Sequence, residues 1–597
     1  MTHWSRALLL MTPLLSAAGP AAGPRPSSSL SALLAEDWEH HLSRSPTYAS
    51  ILGDRRWNDR WDDLSLAGLE ADHQHDVAFL EKLARVAKGK LSDADALNVE
   101  LIGREHRERV EAWALGLQYL PLNHMRGLPE GTGEFPGVQN AGQLGLQLRF
   151  QTLEDYRDWI ARLDGFGAYV DQTIALLQEG VRRKMVWPKV VLDRIPPQLD
   201  ALISAAPTAT PFYAPFNKIP DSIPEAERKS LPQTAERLIR EKVQPAYRKL
   251  KDFVVSTYIP AAPTEVGVGR WPDGERLYAF CVRHNTTTDI TPEQAHQLGL
   301  SEVARIRAEM EAVKARAGWK GSLEDVFKQL RTDPRYFYKT GDELLLHSRD
   351  LAKRIDPKLV KLFGTLPRLP YGVEPTPAAM APDATTGFYY PGAEDGSRAG
   401  TYWVNTYKPE TRPRWEIVPL TLHEAVPGHH FQVSIAYEQH DLPAFRRHRY
   451  DVAFGEGWGL YSESLADELG LVDDPADKMG QLAYEMWRAV RLVVDTGMHV
   501  KGWTRAKAIQ YFMDNSPRAE LDVTNEVDRY IAHPGQALAY KVGQLKIREL
   551  RNRAEKALGP KFDVRAFHDA VLLQGSIPMS VLEHRIDGWI ASQQKAR

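Results

Sequence analysis

The tightest constraint on this chain is helical periodicity. The segment Thr291-Pro292-Glu293-Gln294 reads as a capping box, with an N-cap threonine, a proline at the first helical position and a glutamine at the third. Apolar residues then recur at Leu300, Val303, Ile306, Met310 and Val313, and Gly318 closes the run as a C′ glycine would. Residues 536–558 repeat the pattern with Leu538, Val542, Leu545 and Leu550, stopped by Gly559. A chain patterned in this way folds mainly as α-helix. Proline-rich residues 205–224 read as a loop, as do residues 366–400. The run Thr401–Tyr407 is aromatic and β-branched and predicts a strand 16 residues before His423. The expected architecture is therefore mainly α, with a small sheet beside the functional residues.

Composition narrows the chemistry. The formal net charge is −3 and the sequence pI about 6.7, so no basic excess points to nucleic acid as a partner. Cys281 is the single cysteine and follows the apolar stretch Leu277–Phe280, which predicts buried packing. An internal disulfide and a cysteine-rich zinc site are both excluded, leaving histidine and carboxylate to hold any metal. Residues 1–25 read as a signal peptide: Arg6, a short apolar run over 7–18, then small residues. No cysteine follows them, so the mature protein is expected to be periplasmic or secreted, without a lipid anchor or a membrane span. Residues 26–290 are expected to form a helical N-terminal lobe. Residues 291–597 would form a catalytic lobe continuous with it.

The informative stretch is Thr421-Leu-His-Glu-Ala-Val-Pro-Gly-His-His-Phe-Gln432. Zinc peptidases commonly place His-Glu-x-x-His on a helix, which sets two imidazoles one turn apart with the glutamate beside them as general base. Here Pro427 stands where the second histidine would be, and His429 and His430 follow. In a straight helix His429 would be turned about 240° from His423, and His430 would sit roughly 10 Å further along the axis. Pro427 removes a helix hydrogen bond and Gly428 tolerates unusual dihedrals, so a bulge there can return a histidine to the ligand position. His429 is the preferred second ligand and His430 the alternative. A second block begins 27 residues after His429, at Glu456-Gly-Trp-Gly-Leu-Tyr-Ser-Glu463. Its two glutamates are seven apart and share a face among apolar neighbours. Buried carboxylates are costly unless paired or metal-bound. Glu456 as third ligand and Glu463 orienting a ligand histidine would satisfy both.

These blocks, together with Pro534-Gly-Gln-Ala-Leu-Ala-Tyr-Lys-Val-Gly543, resemble the domain of unknown function 885 family, whose members are exported, many of them as lipoproteins. More distantly the layout is similar to helical gluzincins such as thimet oligopeptidase, angiotensin-converting enzyme and carboxypeptidase Taq. That likeness implies a zincin-like, neurolysin-like fold with a deep cleft and a zinc-dependent peptidase acting on short peptides. His423, His429 and Glu456 would hold Zn2+, and Glu424 would take the proton of the attacking water. Tyr540 would donate to the oxyanion, with His533 as a second candidate. Asn405 on the 401–407 strand is expected to hold a substrate amide, and that strand to pair with the peptide as an edge. Arg488 and Arg491 share helical spacing with Asp495 and His499. They would clamp a substrate carboxylate or belong to a buried ion-pair network. The same zinc centre would equally serve an amidase or esterase on non-peptide substrates. A bulged motif that no longer holds metal would instead leave a non-catalytic envelope binding protein.

Overall fold

The computed structural model describes residues 28–125, 137–377, 381, 385–394, 396, 398–472 and 474–595. The expected signal peptide at 1–25 lies outside the described residues. The chain is mainly helical with one small sheet. The helices that position the site are α1 (Ser28–Arg44), α2 (Leu66–Val86), α3 (Asp93–Ala114), α4 (Gly274–Thr286), α5 (Pro292–Ala317), α6 (Ile417–Glu424), α7 (His429–Tyr437), α8 (Val452–Glu463), α9 (Pro475–Val500), α10 (Glu520–Ala532) and α11 (Ala539–Leu558). The start of α5 follows from its sequence. Thr291 Oγ1 accepts from the Gln294 amide at 3.2 Å, and Gln294 Oε1 accepts from the Thr291 amide at 2.9 Å. Gly318 closes the helix in the left-handed region, at φ 68°. No helix among the described residues is long and apolar enough to cross a membrane.

Two hydrophobic cores hold these elements, and they interleave along the chain. One gathers residues from Leu115 to Leu330 and then from Trp415 and Ala476 to Val542, including the buried Trp159 and Trp187. Cys281 is buried in it, as its apolar neighbours predict. The other joins Leu30–Ile102 to Tyr338–Ile590 and contains Phe431, Trp458 and Tyr461. Residues on both sides of position 290 contribute to each core. The first three helices share a core with α6, α7 and α8, and α5 lies along α9.

Residues 366–400, expected to be irregular, contribute two of the three strands. β1 (Tyr371–Pro375) and β2 (Gly387–Tyr390) flank β3 (Gly400–Val404) in the order β1-β3-β2. Both added strands are short and carry glycine or proline, features confined to sheet edges that mask them in a sequence. The strand expected at 401–407 is observed as β3 over Gly400–Val404 and becomes the centre of the sheet. It pairs in parallel with β1 and antiparallel with β2. It has no free edge to receive a peptide, which corrects that expectation. The sheet itself does lie against α6 and α7, as expected.

Helices α8 and α11 cross where two glycines meet. A Cβ on Gly543 would stand 1.9 Å from the Ala453 carbonyl oxygen and 2.8 Å from the Gly457 Cα. Only glycine permits this approach, which carries Glu456 and Tyr540 toward one another. Gly543→Ala must push the helices apart. We expect a cost of about 1–3 kcal/mol, the usual range for overpacking, read as a lowered thermal midpoint. An unchanged midpoint would show that the crossing can relax freely.

Candidate metal centre

The helix carrying His423 stops at Glu424, and the next begins at His429. Between them the backbone leaves helical geometry at Ala425 (φ −97°, ψ −108°) and Gly428 (φ −76°, ψ −129°). Gly428 lies so close under the end of α6 that a Cβ there would meet the His423 carbonyl oxygen at 2.0 Å. Trp458, from the facing α8, donates its indole N–H to the Pro427 carbonyl at 2.7 Å and ties the bend down. The sequence predicts the bend itself; the tryptophan's part in holding it was legible only as a buried residue.

The bend turns His429 back toward His423. Their rings stand 4.7 Å apart and nearly perpendicular. His423 Nε2 lies 3.3 Å from Glu456 Oε2, and His429 Nε2 lies 3.5 Å from the same oxygen. One ligand atom from each of the three residues lies within 4.8 Å of the others. Two ligands bound at about 2.0–2.1 Å around a tetrahedral ion stand roughly 3.3 Å apart. These spacings match that edge and are long for charge-assisted hydrogen bonds, which run about 2.7–2.9 Å. Glu456 Oε2 is buried and has no hydrogen-bond partner. An orphaned carboxylate oxygen between two imidazole nitrogens fits a divalent cation.

His430 points elsewhere. Its Nε2 meets the Leu369 carbonyl at 3.1 Å and its Nδ1 the Tyr389 hydroxyl at 3.1 Å. Of the two candidate histidines, the geometry brings His429, not His430, to Glu456. Glu463, about two helical turns along α8 from Glu456, accepts from His423 Nδ1 at 2.8 Å, which leaves Nε2 aimed at Glu456. Arg488 in turn pairs with Glu463 at 3.0 Å.

The charges follow from these contacts. Burial pushes the His423 imidazole down, but Glu456 and Glu463 on its two nitrogens more than reverse this, raising its pKa to about 9. Burial pushes Glu456 up, yet His423 and His429 hold it well below the usual carboxylate range. Glu424 is raised by burial, against the pull of His423 and His429. Tyr540 stacks near His423, with ring centroids 6.4 Å apart, and carries the Arg491 guanidinium 4.2 Å from its ring centre. Burial and Glu456 raise its phenol, keeping it a donor.

Other expected residues have different work. Asn405 is fully buried. Its side-chain amide donates to the Ala381 and Thr385 carbonyls and its oxygen accepts from the Tyr407 amide, so it pins a loop and does not hold a substrate. Arg488 and Arg491 belong to a buried network, the second of the two expectations. Arg491 bonds to Glu526 and Tyr530, both at 2.9 Å, and supports Tyr540. Asp495 accepts from the Gly535 amide at 3.1 Å and so fixes the turn that leads into α11. His533, in that turn, is buried and helps hold His124 uncharged.

The sequence profile of the family described as "Bacterial protein of unknown function (DUF885)" matches residues 46–586. The chain is a DUF885 protein. A "putative lipoprotein" from Colwellia psychrerythraea shares its fold at a TM-score of 0.88 and 30% identity, covering 94% of this chain and 99% of that one. A "putative lipoprotein of unknown function" from Shewanella oneidensis gives a TM-score of 0.69 at 17% identity over the same shares, a likeness of fold alone. No curated protein matches the chain.

If His423 served as a ligand in this DUF885 chain, its raised pKa would set the pH dependence of cation binding. A protonated imidazole cannot act as a ligand, so zinc must displace that proton. Zinc affinity is therefore expected to climb as pH rises toward about 9. In the metal-free protein the His423 ion pairs stabilise fully below its unfolded value of 6.5, and that stabilisation is lost as pH rises through about 9. Titration calorimetry at several pH values checks this; an affinity that falls with rising pH would contradict it.

Proposed function

We propose that the chain is an exported zinc-dependent peptidase of zincin-like fold acting on short peptides. One observation supports this above the others. His423 Nε2 and His429 Nε2 both face Glu456 Oε2, at 3.3 and 3.5 Å, while that buried oxygen lacks a hydrogen bond. His423, His429 and Glu456 would hold Zn2+, which when bound lowers the pKa of water and polarises a carbonyl. Glu424 is half-buried at the end of α6, beside the two histidines, with a raised pKa suited to taking and returning a proton. It takes the proton of the attacking water and passes it to the leaving amine. Tyr540 keeps its phenolic proton and donates to the developing oxyanion. Glu463 holds the His423 ring in place, and Arg488 holds Glu463. His423 and Glu463 are buried, whereas Glu424, His429, Glu456 and Tyr540 are only partly so, which leaves one side of the site open to a substrate. Export is in keeping with the relatives described as lipoproteins and with the expected leader.

Glu424→Gln should keep its zinc and lose peptide hydrolysis by a factor of about 10² or more, the usual worth of a general base. Full turnover by this variant on a peptide library would remove Glu424 from the reaction. Tyr540→Phe should lower kcat by about 10²–10³ with little change in KM, as loss of an oxyanion donor does. A wild-type enzyme that cleaves esters or non-peptide amides and leaves peptides intact would overturn the peptide assignment.

A further inference from the structure

The first three helices carry a second cluster that repeats the logic of the first. Asp37 on α1, His75 on α2 and His106 on α3 each place one ligand atom within 4.8 Å of the other two. His106 Nε2 lies 3.2 Å from Asp37 Oδ2, and His75 Nε2 lies 3.9 Å from Asp37 Oδ1. The other nitrogen of His106 meets Asp76 Oδ1 at 2.7 Å. That carboxylate fixes the ring and turns Nε2 toward Asp37, as Glu463 does for His423. Phe79 lies flat on His106, with centroids 3.9 Å apart, and His40 lies flat on His75 at 3.6 Å. Both ligand rings are therefore held in orientation.

We propose that Asp37, His75 and His106 bind a second transition-metal cation of the zinc class, which clamps α1, α2 and α3 together. A tetrahedral edge of about 3.3 Å already holds between His106 Nε2 and Asp37 Oδ2, and His75 Nε2, 3.9 Å from Asp37 Oδ1, must move inward to complete the set. The donor set of two imidazoles and one carboxylate suits zinc over calcium or magnesium, which take oxygen ligands. Asp37 and His106 are buried while His75 is partly exposed, so one flank of the cluster opens outward. Asp76 also lines a cavity of about 210 Å³, together with Asp72, Glu105 and Arg109. Arg109, 3.6 Å from Asp76, is balanced by its pairing with Glu105. These helices share a core with α6, α7 and α8, so the clamp stabilises the half of the molecule that carries the first centre.

Metal analysis of the full chain after loading with zinc and dialysis tests the proposal. Wild type should keep about two zinc ions per chain, and His75→Gln and Asp37→Asn about one each. His429→Ala removes the first centre, so zinc lost there reports on that centre and zinc lost with His75→Gln reports on this one. His75 is partly exposed, so its variant should fold, which circular dichroism checks. A second readout leaves the cluster intact: zinc should still raise the thermal midpoint of His429→Ala, and adding His75→Gln should abolish that rise. Equal zinc in wild type, His75→Gln and Asp37→Asn overturns the proposal. So does a His429→Ala midpoint that zinc leaves unchanged. Either result would make His106 a plain ion-pair partner of Asp37 and Asp76.

Discussion

The candidate peptidase centre depends on one buried carboxylate oxygen, Glu456 Oε2, held between two imidazole nitrogens without a hydrogen bond of its own. An unpaired carboxylate in an apolar setting is expensive. The fold maintains it by packing on every side. The bend at 425–428 brings His429 round, Trp458 anchors the bend, and Glu463 with Arg488 sets the tilt of His423. Close approach of α8 to α11 at Gly457 and Gly543 adds Tyr540 from the far side. Against the pull of burial, Glu456 and Glu463 on its two nitrogens keep the His423 imidazole protonated further up the pH scale.

Much of this site is legible in the sequence because its chemistry needs particular residues at particular spacings. Pro427-Gly428 marks a break, and the break decides between histidines: the one directly after it turns inward, while His430, one residue on, faces the Tyr389 hydroxyl and the Leu369 carbonyl. The seven-residue spacing of Glu456 and Glu463 places both on one helical face, where they take the two nitrogens of a single imidazole. The capping box at Thr291 likewise fixes a helix start from local hydrogen bonding alone.

What stayed hidden depends on contacts between distant segments. Short strands at 371–375 and 387–390 lie within proline- and glycine-rich sequence, so β3 looked like an edge and proved central. Asn405 has the same residue type whether it holds a substrate or a loop; only burial and partners tell them apart. Core membership skips along the chain, with α1–α3 joining the C-terminal half, so no local pattern shows which lobe a helix packs with. Asp37, His75 and His106 come from three helices with no motif to link them. The one local sign was the density of ionisable residues in Asp72-His73-Gln-His75-Asp76.

The most direct measurement is anomalous diffraction at the zinc edge from crystals of the full chain grown with zinc. A peak is expected about 2.0–2.2 Å from His423 Nε2, His429 Nε2 and a Glu456 carboxylate oxygen. Density that leaves this point empty, or a cation bound through His430 in place of His429, would contradict it.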